Sequence, residues 1–494
     1  MALHQAGELD RAVQIYRDVL AKDPGQADAL HLLGAVHWQK GELDDAEKLI
    51  RRSITLWNKE AAYFADLGGV LNQKGAFDEA IAAYQSALRL DPRHKNARAG
   101  LLNCYGRKGF EASKIFNWEE AEAAYRKLLE MNPGDAAALN NLGEIKQHAG
   151  DRRAAEEFYS QGLAKKPDYD IVRYNRAICR LGLNNLAGGW DDLAASTQDW
   201  LQRMDDRKGL PWPRMPLWDG SDLRGKKILI WGNQGIGDEI LFSSMFGDLI
   251  ERGAQVTVDC TGRLVPLFQR AFPGIVANAR DGLPVFMTDF DFVAPGLWLG
   301  RWLRQDFSQF PKRPAYLKAD DAVTERLRAR YKAFGKKRIT GISWHTKSKG
   351  RAEERRLDLI DLAQAIAKKY PLDETLFVDL QYGDTAAERD TMQKTLPSFN
   401  LYHDPEVDQL QDMDIYAAQI AACDDVVTIG NTTAHVAGAL GVPGQILIPT
   451  AGLTWYWFED RPDCPWYPRL KILRKTGLGD WSAALAGIEY SEFL

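Results

Sequence analysis

The stretch GAFDEAIAAYQSALRLDP, residues 75–92, decides how the first third of the chain folds. Gly75 is followed by Ala80 and Tyr84, five and nine residues on, and the segment closes on Pro92. The frame recurs on both sides. Gly7, Gly41, Gly75 and Gly109 stand 34 apart, and Ala12/Tyr16, Ala121/Tyr125 and Ala155/Tyr159 repeat the small-plus-aromatic pair, with Phe116 in the glycine place before Ala121/Tyr125. Pro24 to Pro92 is 68 residues, Pro133 to Pro167 is 34, and Pro92 to Pro133 is 41, which is one period plus an insertion of seven. Each residue type has a mechanical reason. Glycine opens a turn, a small residue lets two helices approach, and proline cannot continue a helix and so begins the next unit.

A 34-residue period with this pattern resembles the tetratricopeptide repeat, a helix–turn–helix unit that stacks into an all-α superhelix. The expected repeat domain is 1–205, with about five units. Gly188-Gly189-Trp190 holds the small/aromatic place of a degenerate sixth, expected to cap the stack. The chain enters the pattern part-way through a first helix, so a natural start further upstream is expected. Asp66, Asn141 and Asn175 share one repeat position, two residues before Gly68, Gly143 and Ala177. On the inner helix that position is expected to look into a concave groove, where polar side chains can pair with the backbone of a bound polypeptide. The alternative is that they merely solvate that face.

Bulk composition narrows the rest. The chain has 494 residues, a net charge of −5 and 27% charged residues, which carries no electrostatic signature of nucleic acid or of an anionic membrane. No apolar run reaches the roughly 18 residues that a membrane helix needs, and no signal-peptide layout is present. Five scattered cysteines without a CxxC read as reduced thiols in a cytoplasmic protein, and eight histidines form no ligand spacing, so no metal is expected.

The pattern changes after the turn-rich run LPWPRMPLWDGSDLRGK, which places a domain boundary near 205–222. KKILIWG (226–232), AQVTVDC (254–260), RITGISW (338–344), TLFVDLQ (375–381), DVVTIG (425–430) and QILIP (445–449) read as buried strands. Helical stretches at 239–252, 359–369, 415–422 and from Thr432 alternate with them, and 321–337 reads as a charged helix-like linker. Alternation implies parallel sheets, hence two Rossmann-like lobes, 222–330 and 336–494, facing a cleft.

Three segments leave strand ends, where parallel sheets place ligands. The first, WGNQGIGDEILFSSM (231–245), has the spacing GxxGxG without a P-loop lysine, so a dinucleotide or ATP site is a poor reading. Gln234, Gly235, Gly237, Asp238 and Glu239 form its loop, and Asp238 is either a functional carboxylate or simply a helix cap. The second, TIGNTTAHVAGALG (428–441), sets Asn431, Thr432, Thr433 and His435 at a helix start. It is either a phosphate seat or a capped core helix with a packed histidine. The third, SWHTKSKGRAEERR (343–356), crowds Lys347, Lys349, Arg351, Arg355 and Arg356 into a loop that is either a phosphate site or a solvated face.

Together with LWDG (217–220), HVAGALGVP (435–443) and DCPWYPRLKILRK (463–475), these segments resemble the heptosyltransferase-like bacterial glycosyltransferases of family 9, in the variety fused behind tetratricopeptide repeats. The resemblance implies a GT-B fold, acceptor handled by the first lobe and nucleotide sugar by the second, without a catalytic metal. It further implies Asp238 as catalytic base, Lys347 or Lys349 on donor phosphate, and Thr432, Thr433 and His435 at the donor. Trp455 and Trp457 either line the sugar or base pocket or serve packing. Such enzymes commonly carry Asp five residues before the histidine, where this chain has Gly430. That departure argues for a more negatively charged donor than ADP-heptose, such as a CMP-activated nonulosonic acid; another nucleoside-diphosphate sugar is the other donor class. The implied activity is an inverting transfer to Ser/Thr hydroxyls of a protein, flagellin among the acceptors of such enzymes. Two alternatives remain: a non-catalytic repeat adaptor, and a transferase acting on a lipopolysaccharide-type glycolipid. The DxD triplets Asp289–Asp291 and Asp412–Asp414 lie in separate βα sets and do not support a metal site.

Overall fold

A computed structural model describes residues 7–196, 216–232, 235–280, 289–346, 356–449, 454–459, 461–475 and 480–490. Contacts divide the chain into two compact units, Met1–Ile145 with Phe158–Pro167, and Lys146–Glu157 with Asp168–Leu494. The repeats form helices α1 (Leu9–Lys22), α2 (Ala27–Gln39), α3 (Leu43–Leu56), α4 (Ala61–Lys74), α5 (Phe77–Leu90), α6 (Lys95–Lys114), α7 (Trp118–Met131), α8 (Ala136–His148), α9 (Arg152–Lys165) and α10 (Asp170–Gly182).

The turn between the two helices of a repeat is left-handed each time. Gly7, Gly41, Gly75, Phe116, Gly150 and Asn184 have φ of +80°, +81°, +82°, +60°, +84° and +69°. The expectation that Gly109 is one of these turns is corrected. It lies inside α6, where an added Cβ would stand 2.7 Å from the Tyr125 ring, as one at Gly68 would from Tyr84. The insertion of seven therefore lengthens α6 to 20 residues, about two more turns, and moves the left-handed turn to Phe116. The alanine of each small/aromatic pair is buried, and Tyr84, Tyr125 and Tyr159 lie over Gly68, Gly109 and Gly143 of the preceding helix. Lys40–Asp10 (2.5 Å), Lys74–Asp44 (2.6 Å) and Lys108–Asp78 (2.5 Å) repeat along the first unit. These exposed pairs are screened by solvent, so they mark register more than they add stability.

In the second unit α10 and the helical residues 186–196 pack with the α/β part. Trp190 donates its indole N–H to Arg304 O at 2.8 Å and meets Trp455 edge-on at 5.2 Å. Glu459 N–H donates to Gly182 O at 2.8 Å, and Arg152 pairs with Glu459 at 3.0 Å. By contacts the last repeat is thus grouped with the α/β body, while 205–215 of the expected boundary lies outside the described residues.

That body holds two parallel sheets. The first comprises β1 (Lys227–Trp231), β2 (Gln255–Cys260), β3 (Val276–Ala279) and β4 (Phe292–Pro295) in order β3-β2-β1-β4. The second comprises β5 (Arg338–Ser343), β6 (Thr375–Asp379), β7 (Leu401–Tyr402), β8 (Asp425–Ile429), β9 (Gly444–Ile448) and β10 (Leu470–Arg474) in order β10-β9-β8-β5-β6-β7. β5, β6, β8 and β9 carry an almost unbroken set of buried residues, as strands covered on both faces require. In each sheet the order reverses beside the first strand, at β1/β4 and at β5/β8, which are the places where such sheets open a crevice at their carboxyl ends.

Several helices complete the body: α11 (Ile236–Ser243), α12 (Phe246–Glu251), α13 (Val265–Ala271), α14 (Leu299–Leu303), α15 (Asp321–Lys332), α16 (Leu359–Ala367), α17 (Ala386–Thr395), α18 (Met413–Ala421), α19 (Thr432–Leu440) and α20 (Ser482–Ala486). The single helix expected over 239–252 is two, broken at Ser244–Met245. The expected linker 321–337 is largely α15, docked on the second sheet through Tyr331 Oη to Asp404 (3.0 Å) and Arg328 to Ala422 O (2.8 Å). No described helix is long and apolar enough to cross a membrane, and all five cysteines are buried and free.

Candidate functional site

After β1 the chain passes Gly232 and enters α11 through Gly235, whose extended backbone forms the N-cap. Gly232 has no room for a side chain: a Cβ would stand 2.9 Å from the Glu239 carboxylate. Asp238 is the third residue of α11, not its cap, and its Oδ2 accepts the Gly235 N–H at 3.3 Å. An acid there also meets the positive end of the helix dipole. The half-buried carboxylate lies near Tyr174 of α10, whose phenol is pushed up by burial first and then by the negative charge of Asp238.

Glu239, placed in the same loop by sequence, does something else. It is buried, and accepts from Thr261 N–H (2.8 Å), Thr261 Oγ1 (3.1 Å) and Arg280 (2.7 Å). These bonds tie α11 to the ends of β2 and β3, so Glu239 is a strut and not an open loop acid. Gln234 lies outside the described residues.

The second crevice is built more tightly. Asn431 caps α19, accepting from Thr433 N–H at 3.0 Å, while its amide donates to Ser343 Oγ (2.7 Å) and His345 O (3.2 Å) at the end of β5. Gln381, just beyond β6, accepts at one oxygen from Ser343 Oγ and from the N–H groups of Trp344 and His345, each at 2.9 Å. The carboxyl ends of β5, β6 and β8 are thereby locked together by neutral amides. The Asn431 side chain is spent on this lock. The Thr433 hydroxyl is too: it is buried against Tyr416 Oη at 2.6 Å, so a hydroxyl-to-phosphate bond from Thr433 is contradicted. Thr432, half-buried at the first position of α19, keeps the expected placement.

His435 is 3% exposed, and burial pulls it down to about 3, so it is neutral at any ordinary pH. Its Nδ1 bonds Tyr467 Oη at 2.7 Å, and Tyr456, Trp457 and Tyr467 surround the ring with centroids 5.0, 5.4 and 5.7 Å away. The other edge faces the first crevice: a Cβ at Gly237 would stand 2.7 Å from His435 Cδ2. The two helix starts, α11 and α19, therefore confront each other through a glycine and a neutral imidazole. Tyr316 continues the seam, with its N–H bonded to Ala439 O at 2.9 Å and its Oη to Ile240 O at 3.0 Å.

Lys347, Lys349, Arg351 and Arg355 lie outside the described residues. Arg356 is described, and it is paired with Glu388 at 3.0 Å, which also accepts the Trp344 indole N–H at 2.6 Å. Sequence reading did not single out Gln381, His345 or Lys475. The last follows β10 and is buried, with its ammonium 4.1 Å from the Trp481 ring centroid. Each stands at a strand carboxyl end, and that rule, applied to every strand, was the available signal. Three carboxylates of the DxD triplets have structural partners: Asp291 holds Lys227 N–H (2.9 Å), Asp412 caps α18, and Asp414 pairs with Arg270 (2.6 Å).

On the repeats, Asp66 is bonded to His31 of the preceding unit at 2.8 Å, with His31 stacked on Tyr63. Asn141 is half-buried and bonded by Asn140 at 3.3 Å. Asn175 is 8% exposed, so an amide standing open in a groove is contradicted at that position. It sits on α10, whose outer turns are covered by the α/β body.

Residues 3–65 and 116–187 match one family model described as tetratricopeptide repeat, and residues 58–95 match another. The chain thus contains tetratricopeptide repeats. It is 27% identical over 418 residues to protein FlbA of Caulobacter vibrioides, a match covering 75% of this chain and 69% of FlbA. Among solved structures, MamA is 23% identical, with 34% of this chain and 93% of MamA covered and a TM-score of 0.28. YrrB, described as a tetratricopeptide protein with an unusual peptide-binding site, is also 23% identical, with 35% and 84% covered and a TM-score of 0.28.

Proposed function

We propose that this protein is a metal-independent inverting glycosyltransferase of the GT-B type, which moves a sugar from a nucleotide sugar to Ser or Thr hydroxyls of a protein recruited by its repeats. The observation that supports the reading best is the close approach of two helix starts that follow strand ends, with Gly237 of α11 set against His435 of α19. One helix start offers a carboxylate and the other a helix N-terminus with Thr432 at its first position. Direct displacement at an anomeric carbon uses that pairing. Asp238 takes the proton of the acceptor hydroxyl as the new C–O bond forms on one face. On the opposite face, the leaving nucleotide carries away the glycosidic bonding pair as phosphate charge. A carboxylate offers about four acceptor directions, so the cap bond from Gly235 is compatible with a bond from the acceptor. The first turn of α19 favours the departing negative charge. Lys347 and Lys349, which follow β5 in the sequence, supply cations for the same phosphate.

A CMP-activated nonulosonic acid is the favoured donor, because Gly430 leaves no carboxylate to repel an acidic sugar. Flagellin is the favoured acceptor. The test is mass spectrometry of the most abundant extracellular filament proteins from cells with and without the gene. A sugar mass on Ser or Thr that disappears with the gene is the expected result. Unchanged glycoforms, with a truncated glycolipid instead, would move the acceptor class to glycolipid.

A further inference from the structure

Trp457 is 1% exposed, and its indole N–H has no hydrogen-bond partner among the described residues. Buried donors are almost always paired, and leaving one unmet is costly, so such a group asks for an explanation. Its place supplies one. The Cβ position of Gly430 lies 3.1 Å from Trp457 Nε1, and Gly430 immediately precedes Asn431, the cap of the nine-residue helix α19. The indole ring also flanks His435, at 5.4 Å between centroids. A helix N-terminus, a neutral imidazole and an unmatched N–H thus converge where the chain lacks any side chain at 430. The helix N-terminus and the indole N–H both favour negative charge, and neither is a cation. The indole is held in place: Arg474 clamps Trp457 O at 2.5 Å, and Trp457 N–H bonds Thr454 O at 3.4 Å.

We propose that Trp457 Nε1–H is a specificity-determining donor for an oxyanion seated at the start of α19. It hydrogen-bonds one oxygen of that group, beside a glycine whose side chain would otherwise fill the space. The inference rests on the glycosyltransferase reading for the source of the oxyanion, which is either a nucleotide phosphate or the carboxylate of an acidic sugar.

Trp457→Phe removes the N–H and keeps most of the ring. Trp466→Phe is the control. Trp466 is 4% exposed and its N–H is likewise unmatched among the described residues, but its ring lies against Phe310 and Trp455. Calorimetry with CMP, inorganic phosphate and free N-acetylneuraminic acid should find Trp457→Phe about tenfold weaker than wild type for at least one probe. Trp466→Phe should bind as wild type. Loss confined to CMP and phosphate assigns the donor to phosphate; loss confined to the sugar acid assigns it to the carboxylate. Both variants should melt somewhat earlier than wild type, since the smaller ring leaves a cavity in the core, so binding is compared at a temperature where each is folded. Equal binding by Trp457→Phe and wild type overturns the inference and leaves the transferase reading standing. A wild-type protein that binds none of the probes overturns both. Should Trp457→Phe not fold, the indole proton resonance of Trp457 in the 15N-labelled wild type decides: a downfield shift on saturation supports the bond, and an unmoved resonance overturns it.

Discussion

At the scale of single residues, the site separates groups that hold the structure from groups that face the crevices. Glu239 and Thr433 are the first kind, since their polar atoms are taken up by Thr261, Arg280 and Tyr416. Asp238, half-buried and bonded by the Gly235 N–H, is the proposed base. Asp238→Asn keeps the size of the group and removes its basicity, so kcat should fall by about 10²–10⁴ while donor affinity stays near wild type. Steady-state kinetics with a purified acceptor would check this, and near-wild-type turnover would remove Asp238 from the mechanism. Gly237→Ala places a methyl 2.7 Å from His435, and neither the helix backbone nor the caged ring can retreat. Transfer should collapse even though Asp238 is intact, with folding monitored by circular dichroism. His435 adds a pH effect. Its folded pKa lies below the unfolded value near 6.5, so the unfolded chain binds the extra proton and stability falls as pH drops below about 6.5. Between pH 6.5 and 5 that one group costs about 2 kcal/mol, and His435→Gln should flatten the acid side of a Tm-versus-pH curve. A variant that keeps the wild-type slope would place the acid sensitivity elsewhere.

At the scale of elements, glycines that share a helix family have opposite consequences. A Cβ at Gly143 would lie 2.4 Å from Tyr159, whereas one at Gly106 meets only Leu128 at 3.4 Å. Gly143→Ala should therefore cost about 1–3 kcal/mol through overpacking. Gly106→Ala should add up to about 1 kcal/mol by relieving the entropy cost of glycine in a helix. Urea titration of the repeat region would order them. The last repeat behaves as part of the α/β body, because Gly182 O, Arg152 and Trp190 all bind it. A fragment starting at Pro133 should be soluble and cooperative. One starting at Leu186 should aggregate or melt much earlier, since it loses Arg152 and α10 and exposes the Trp455 segment.

At the scale of the whole molecule, recruitment and chemistry become separable experiments. If the repeats bring the acceptor, the fragment starting at Pro133 should still hydrolyse donor slowly yet fail to modify the intact protein acceptor. Full-rate protein glycosylation by that fragment would defeat recruitment by the first repeats. Full activity on a glycolipid would change the acceptor class.

The repeats were legible because a 34-residue period makes each helix pair repeat its own contacts, so local sequence carries both the element and its neighbour. Hence Ala80, Tyr84 and the glycine turns could be read directly. The six strands rich in Val, Ile and Leu were legible for the same reason: burial on both faces writes a continuous apolar run. β3, β4, β7 and β10 were not singled out, since these shorter or more polar strands depend on partners far along the chain. Sequence also could not tell Gly109 from Gly75, because a helix-packing glycine and a left-handed turn glycine are the same residue. Only the fold assigned Glu239 to Arg280, Thr433 to Tyr416 and α10 to the α/β body. Each of these rests on residues distant in sequence meeting in a dry interior, where a polar group must find a partner and a helix face must find a neighbour.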